Sequence, residues 1–233
     1  MPSFWDRRAD EDAFYFVDNR VEYGDPDLDR FWQGGRENLD RILEQLGVRL
    51  ARSDRVVEIG CGVGRLTRVI AERAAGVRAL DVSERMLERA RELNPELANV
   101  SWILGDGRSM AGIEDASADA CVSHVVFQHI PDPAVTLGYV REIGRVLRPG
   151  GWAAFQVSND PSVHRPPGAR GRLSAWLGAL TGRGPRGQTN PAWRGSAVEL
   201  DDLRSTAEAS GMDVERVVGA GTQFCLVLTR RRA

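Results

Sequence analysis

The stretch VVEIGCGVGRL, Val56–Leu66, decides the fold of this 233-residue chain. A short β-branched run leads into a glycine-rich turn. The turn leads into GRLTRVIAERAAG, where Leu66, Val69 and Ile70 recur on one helical face. A strand, a glycine turn and a helix start bring backbone N–H groups and the positive helix end to one point, where a ligand can be held. Glycine allows close approach because it has no Cβ. Gly60, Gly62 and Gly64 spell G-x-G-x-G, whereas the dinucleotide fingerprint G-x-G-x-x-G would put its third glycine where Arg65 stands. Standing alone, such a loop can also be no more than a tight turn.

Strand and helix signals alternate on both sides of it. ENLDRILEQLGVRL sets Leu39, Ile42, Leu43 and Leu46 on one face and stops at Gly47. VRALDV reads as a second strand, and Ser83 can cap ERMLERARELN before Pro95 ends it. VSWILGD and DACVSHVV are further strands; VTLGYVREIGRVL is helical, and RPGG halts it before the strand WAAFQVS. SAVELDDLRSTAEASG reads as a helix ending at Gly211, followed by a closing pair of strands, DVERVVGAG and TQFCLVLTR. This alternation predicts βαβ units around a mostly parallel sheet, hence an α/β fold. One domain is expected over 1–233, with a helical cap (1–50), a ligand-binding core (51–158), a lid (159–197) and a closing helix with strands (198–233).

Cap and lid interrupt the rhythm. Residues 1–37 carry ten acids against five arginines, with aromatics in FW, FYF and FW, and read as short helices. Phe4 and Trp5 there either close over a ligand or anchor the N-terminus. Residues 159–197 are rich in Pro, Gly and Arg, a length at which an irregular connection favours a functional lid. RLSAWLGAL inside it puts Leu173, Trp176, Leu177 and Leu180 at helical spacing. The segment holds six arginines and one acid, Asp160, which is either a solvated face or a site for an anionic acceptor.

Composition excludes more than it names. All 31 basic residues are arginine. Without lysine there is no P-loop, kinase strand lysine, Schiff base or Tyr/Lys dehydrogenase couple. No G-x-S-x-G elbow is present. Cys61, Cys121 and Cys225 are too far apart for a cysteine-rich zinc site, and three histidines are badly spaced for a metal cluster, so no metal is expected. A formal net charge of −2 exerts no general pull on nucleic acid, and no apolar run reaches membrane length. The N-terminus turns acidic too soon for a signal peptide, so a cytoplasmic protein with no membrane and no nucleic-acid partner is expected.

Three carboxylates sharpen the loop. Glu58 ends the first strand; Asp81 ends the second, 17 residues after Gly64, where an acid can accept from both ribose hydroxyls; Asp106 follows the third. A negative charge at Glu58 would oppose a pyrophosphate and suit a cation. The set fits a cationic, phosphate-free nucleoside such as S-adenosylmethionine.

With VVEIGCGVGRLT, RALDVSERMLERAR, WILGDGRSM, DACVSHVVFQHIPDP and REIGRVLRPGGWAAFQVS in order, the chain resembles the class I S-adenosylmethionine-dependent methyltransferases of small-molecule type (methyltransferase domain families 11 and 25) over about residues 38–158. The resemblance implies a Rossmann-like three-layer sandwich whose seven-stranded sheet is mostly parallel with an antiparallel last strand. It implies that Glu58, Gly60, Gly62 and Gly64 approach the cofactor's methionine part and Asp81 its ribose. Val82 and Met86 would flank the adenine, with Asp106 accepting from its amino group and the Gly107 amide facing the ring. Ser123 and His124 would lie near the methionine and the reacting methyl, making His124 a candidate catalytic residue. His129 is the other: by resemblance it faces the acceptor, as a general base for a hydroxyl or amine or as a structural histidine bonding a carbonyl. Gln128 and Asp160 could position the acceptor. Arg65 is given no part.

The expected activity is methyl transfer to an O or N atom of a small molecule. Its rivals are methylation of RNA or protein through the arginine-rich lid, a cofactor-binding protein without catalysis, and a dehydrogenase, against which the G-x-G-x-G spacing and Glu58 both count.

Overall fold

The computed structural model describes residues 2–165 and 190–233. The expected lid helix through Trp176 lies outside the described residues. Seven strands form one sheet: β1 (Arg55–Ile59), β2 (Gly76–Asp81), β3 (Val100–Leu104), β4 (Ala118–Ser123), β5 (Leu147–Val157), β6 (Met212–Val218) and β7 (Cys225–Arg231). Their order is β3-β2-β1-β4-β5-β7-β6. β1 to β5 pair in parallel, while β7 runs antiparallel to both β5 and β6. The expected Rossmann-like sheet with its antiparallel last strand is therefore present. β5 starts earlier than RPGG suggested, since Leu147 already pairs with Ala118 before the register shifts to Ala120–Trp152.

β4 is buried at every position, as a central parallel strand covered on both faces must be. One face is covered by α5 (Pro133–Val146) and by the C-terminal helix Leu200–Ala209. There Val140, Ile143, Leu203 and Ala207 pack on Phe155. On the other face α2 (Leu28–Leu46) and α3 (Thr67–Arg73) bring Leu39, Leu46, Val69 and Ile70 against Val56 and Ala120. α2 is longer than its apolar stripe indicated, because Asp27 caps it from below by accepting from the Arg30 amide. α4 (Glu84–Leu93) starts, as expected, on Ser83, whose side chain accepts from the Met86 amide.

The N-terminal cap is ordered. α1 (Pro2–Val17) bends at Asp12, whose backbone leaves the helix. Its Ala9 and Ala13 pack with Phe31, Val63 and Met86, so the cap rests directly on the glycine loop and on α4. α2 passes even closer: a Cβ on Gly35 would lie 2.4 Å from the Arg65 carbonyl oxygen.

Gly35→Ala should therefore cost about 1–3 kcal/mol, as overpacking does. Gly138→Ala, in α5 with its nearest neighbour at 3.8 Å, should instead gain up to about 1 kcal/mol from helix propensity. Thermal melts of the two variants should move in opposite directions; equal shifts would refute the close approach of α2.

Candidate active site

Strand order reverses between β1 and β4, and open α/β sheets hold ligands at such a point, outside the carboxyl ends of the strands. A cavity lies there. Of the residues singled out from sequence, Glu58, Gly60, Gly62, Asp81, Val82 and Met86 line it. Gly107, His124 and His129 complete that set on the far wall.

Local hydrogen bonds explain how the loop is held. The Gly60 and Cys61 amides donate to the Leu80 carbonyl at 2.7 and 2.9 Å. The Gly62 amide donates to Asp81 at 2.8 Å, and the Ser83 amide donates to its other oxygen at 2.9 Å. The acid at the end of β2 thus shapes the loop as well as facing the cavity. Gly60 (φ 76°) and Gly62 (φ 55°) are in the left-handed region. A Cβ at Gly60 would meet the Val126 side chain at 2.3 Å, and one at Gly62 the Val17 side chain at 2.7 Å.

Gly64, Asp106 and Ser123 stand elsewhere. Gly64 is small for packing, since a Cβ would lie 2.9 Å from both Asn94 and Trp102. The Asp106 carboxylate is exposed and folds back on its own loop. It accepts from the Arg108 amide at 2.8 Å, the Ser109 amide at 2.7 Å and the Ser109 hydroxyl at 2.8 Å. A slight burial penalty acts upward on its pKa, and these donors outweigh it and hold the group below its ordinary value. Its neighbours Gly105 and Gly107, not Asp106, are at the cavity wall. The Ser123 hydroxyl is buried and donates to the Ile59 carbonyl at 3.0 Å, tying β4 to β1.

Glu58 is nearly sealed from water, and burial pushes its pKa up to about 7. The Thr67 hydroxyl, donating at 2.5 Å, and the Arg65 guanidinium pull it down, while Asp81 pushes it up. Asp81 is also raised, first by burial and against the amide hydrogen bonds it accepts. Two carboxylates sharing a dewatered cavity favour a cationic occupant, which would lower both values.

The histidines differ from each other. His124 is held down to about 4 by burial and by the nearby Arg65 and Arg20 charges, and its Nδ1 has no hydrogen-bond partner among the described residues. Val125, which follows it, has φ 57°, a costly conformation for a β-branched residue and of a kind that clusters at functional sites. His129 is also held down to about 4, by burial, although its hydrogen bond to the Trp193 backbone works the other way. His129 Nδ1 donates to the Trp193 carbonyl at 2.7 Å, so the neutral ring leaves Nε2 as acceptor. Gln156 donates to Gln128, and the Gln128 amide lies 3.4 Å from that Nε2. Both ring nitrogens therefore have protein partners, Nδ1 a short bond to a backbone carbonyl and Nε2 a long one from the Gln128 amide. His164 is not simply exposed: its Nε2 lies 2.7 Å from the Ser158 hydroxyl, and its Nδ1 bonds the Arg194 carbonyl. Asp160 is spent on accepting from the Ser162 amide at 2.9 Å.

Trp193 and Arg65 were not apparent from sequence as walls, whereas Trp5 takes up the first of its two expected places, over the cavity. Trp193, in the short helix Pro191–Arg194, packs its ring 5.2 Å from His129 and 5.6 Å from Phe16. Trp5 sits 5.5 Å from His129 and lines the cavity, with the Phe4 ring edge-on to it at 5.1 Å. Arg65 is 4% exposed and pairs with Asp18 at 3.1 Å. The Asn38 amide, with its oxygen turned to the guanidinium, accepts from Arg65 at 2.9 and 3.1 Å. Among the described residues, no cluster of three or more His, Cys, Asp or Glu could hold a metal. Among them, too, no helix is long and apolar enough to cross a membrane.

Fold and site define an α/β protein with a carboxylate-bearing cavity at the carboxyl ends of its central parallel strands. Residues 57–155 match the methyltransferase domain family. The chain is 29% identical over 175 residues to a ubiquinone biosynthesis O-methyltransferase of Nitrosospira multiformis, covering 73% of this chain and 67% of that one. It is 30% identical over 127 residues to a demethylmenaquinone methyltransferase of Staphylococcus aureus, covering 53% of this chain and 50% of the relative. Among solved structures, an S-adenosylmethionine-dependent methyltransferase from Mesorhizobium loti superposes with a TM-score of 0.61 at 22% identity, over 80% of this chain and 95% of that one. The chain carries a class I S-adenosylmethionine-dependent methyltransferase domain, and S-adenosylmethionine is its cofactor.

The raised Glu58 should make the binding of a cationic ligand in this cavity pH-dependent. A cation beside it favours the carboxylate, so binding should release a proton where Glu58 is still protonated, below about pH 7. Affinity for S-adenosylmethionine should rise from about pH 5.5 to about pH 8, by at most about tenfold per unit for one proton. Calorimetry in two buffers of different ionisation enthalpy should report the released proton, and Glu58→Gln should flatten the profile. In the free protein the raised acid acts in the opposite sense. Stability should fall as pH rises from the ordinary 4.5 toward about 7.

Proposed function

We propose that the protein moves the methyl group of S-adenosylmethionine to an O or N atom of a small molecule. One observation carries this reading: a second cavity, of about 950 Å³, adjoins the first and shares Phe16, Val17, Arg65, His124, Val125 and His129 with it. A donor site and an acceptor site with a common wall are what a group transfer requires.

When bound, the cofactor supplies an activated methyl on a sulfonium. Glu58 and Asp81 face its positive charge and ribose, the Gly60–Gly62 turn gives it close backbone, and Trp5 with the Trp193 cluster excludes water. Asp106 keeps the Gly105–Gly107 wall in shape through its turn. His129 Nε2, exchanging its long contact with the Gln128 amide, accepts a hydrogen bond from the acceptor hydroxyl or amine and aims the heteroatom's lone pair. A nitrogen whose conjugate acid forms only near pH 4 orients such a group better than it deprotonates it. The relatives named for ubiquinone biosynthesis and for demethylmenaquinone support a small-molecule acceptor over a macromolecular one.

S-adenosylhomocysteine should raise the melting temperature by several degrees at saturating concentration, as any ligand of the native state does, and NAD should not. Stabilisation by NAD alone would refute the reading. A screen of hydroxyl and amine acceptors for S-adenosylhomocysteine release should find turnover that Asp81→Ala abolishes.

A further inference from the structure

We propose that the acceptor is an amphipathic anion, with an apolar body and one oxyanion group, and that Arg41 and Arg194 hold the oxyanion in the second cavity. This rests on the methyl-transfer reading and specifies the substrate class at the same site.

The charge of that cavity is lopsided. Five arginines line it, Arg20, Arg41, Arg65, Arg165 and Arg194, against one carboxylate, Asp18. That carboxylate is already committed: Arg20 grips it with two contacts, at 2.8 and 2.6 Å, and Arg65 reaches it at 3.1 Å. Arg41 and Arg194 have no carboxylate at ion-pair distance among the described residues. The undescribed segment 166–189 cannot provide one, because it contains no Asp or Glu and adds four arginines.

Arg194 carries the more specific sign. Its Nε is buried and has no hydrogen-bond partner among the described residues. A buried guanidinium donor left unmade is costly, and an anionic oxygen satisfies it better than a neutral one. Its backbone is fixed independently, since its carbonyl bonds His164 and its amide donates to Asn190 at 3.1 Å. Arg41 lies on α2, a rigid element, at the exposed mouth.

The rest of the wall mixes amides, Asn19, Gln45, Gln128 and Gln223 among them, with apolar side chains. Ile42, Leu226, Val163 and Phe224 contribute, and the last two are 43% and 56% exposed, unusual for large apolar side chains. Cations that outnumber the carboxylate, together with exposed apolar surface in the same cavity, select a molecule that has both features. A nucleic-acid strand would instead ask for an extended basic surface with stacking platforms and would bind with a steep salt dependence.

The test uses the full chain saturated with S-adenosylhomocysteine and a matched dye pair: 8-anilinonaphthalene-1-sulfonate and its uncharged parent, N-phenyl-1-naphthylamine. Fluorescence titration should give at least tenfold tighter binding of the sulfonate. Arg41→Gln/Arg194→Gln should weaken the sulfonate about tenfold and leave the neutral dye within twofold. Arg41→Gln alone, at an exposed position, should give part of that loss even if the double variant folds poorly. Competition with 1-naphthoate, 1-naphthyl phosphate and 1-naphthalenemethanol should show displacement by one or both anions, which tells carboxylate from phosphate, and not by the alcohol. Equal binding of the two dyes, equal loss of both in the variants, or an unchanged sulfonate affinity would overturn the proposal. Displacement by a uridine decanucleotide with a steep salt dependence would do so as well, in favour of RNA. If S-adenosylhomocysteine itself fails to stabilise the wild-type chain, the methyl-transfer reading falls; if it stabilises the chain and the dye preference is absent, only this proposal falls.

Discussion

A guanidinium almost sealed from water is the constraint on which the rest of this structure depends. Arg65 follows the glycine loop directly, and burial lowers its pKa against the pull of Asp18. A charge in such a place must be paired and hydrogen-bonded or the fold loses several kcal/mol. The chain meets most of that demand from three directions, and Nε alone is left without a hydrogen-bond partner among the described residues. The connection after α1 supplies Asp18, α2 supplies Asn38, and the face of Phe31 lies 5.7 Å from the guanidinium carbon. α2 can reach it only because Gly34 and Gly35 leave room, the first with Arg20, Arg65 and Asp18 around it. Cap, glycine loop and the shared wall of the two cavities are consequently one unit. A change in any of them is felt at the ligand.

The same group explains why the cap and the core were legible to different degrees. The βαβ rhythm was plain because strand and helix periods are local, and the apolar stripes of α2 and α5 occur where their residues put them. Gly60 and Gly62 were recognisable for the same reason, and Asp81 because its distance from the loop matches one βα unit. Arg65 looked incidental because its partners, Asp18 and Asn38, are far away in sequence and nothing local marks them. Trp5, Phe16 and Trp193 meet only through tertiary packing, so aromatics at opposite ends of the chain gave no hint of a common wall.

Asp106 shows a subtler loss. Its position after β3 was right, but the short run GDGRS offers the carboxylate its own amides and a serine hydroxyl. Aspartate in a turn commonly takes such partners. At Gly64 the requirement for glycine also comes from packing, since Asn94 and Trp102 leave no room for a Cβ. Sequence pattern gives the location of a residue well and the direction of its side chain poorly, and the two diverge most in loops.

What the two cavities share is a polarity. On one side lie Glu58 and Asp81, raised by burial; on the other, arginines outnumber the single carboxylate. His124 and His129 stand between them, and both are kept uncharged near neutrality. A protonated imidazole there would face a cationic cofactor across a poorly solvated gap, so neutrality at the divide is what electrostatics requires. The same neutrality leaves these rings weak as bases. A fold that sacrifices base strength at the point of transfer suits a donor that already carries its leaving group. There, alignment of the acceptor and exclusion of water account for most of the rate. On the proposed reading, the opposed charges of the two cavities serve alignment as well, a cation held on one side of the histidines and an anion on the other.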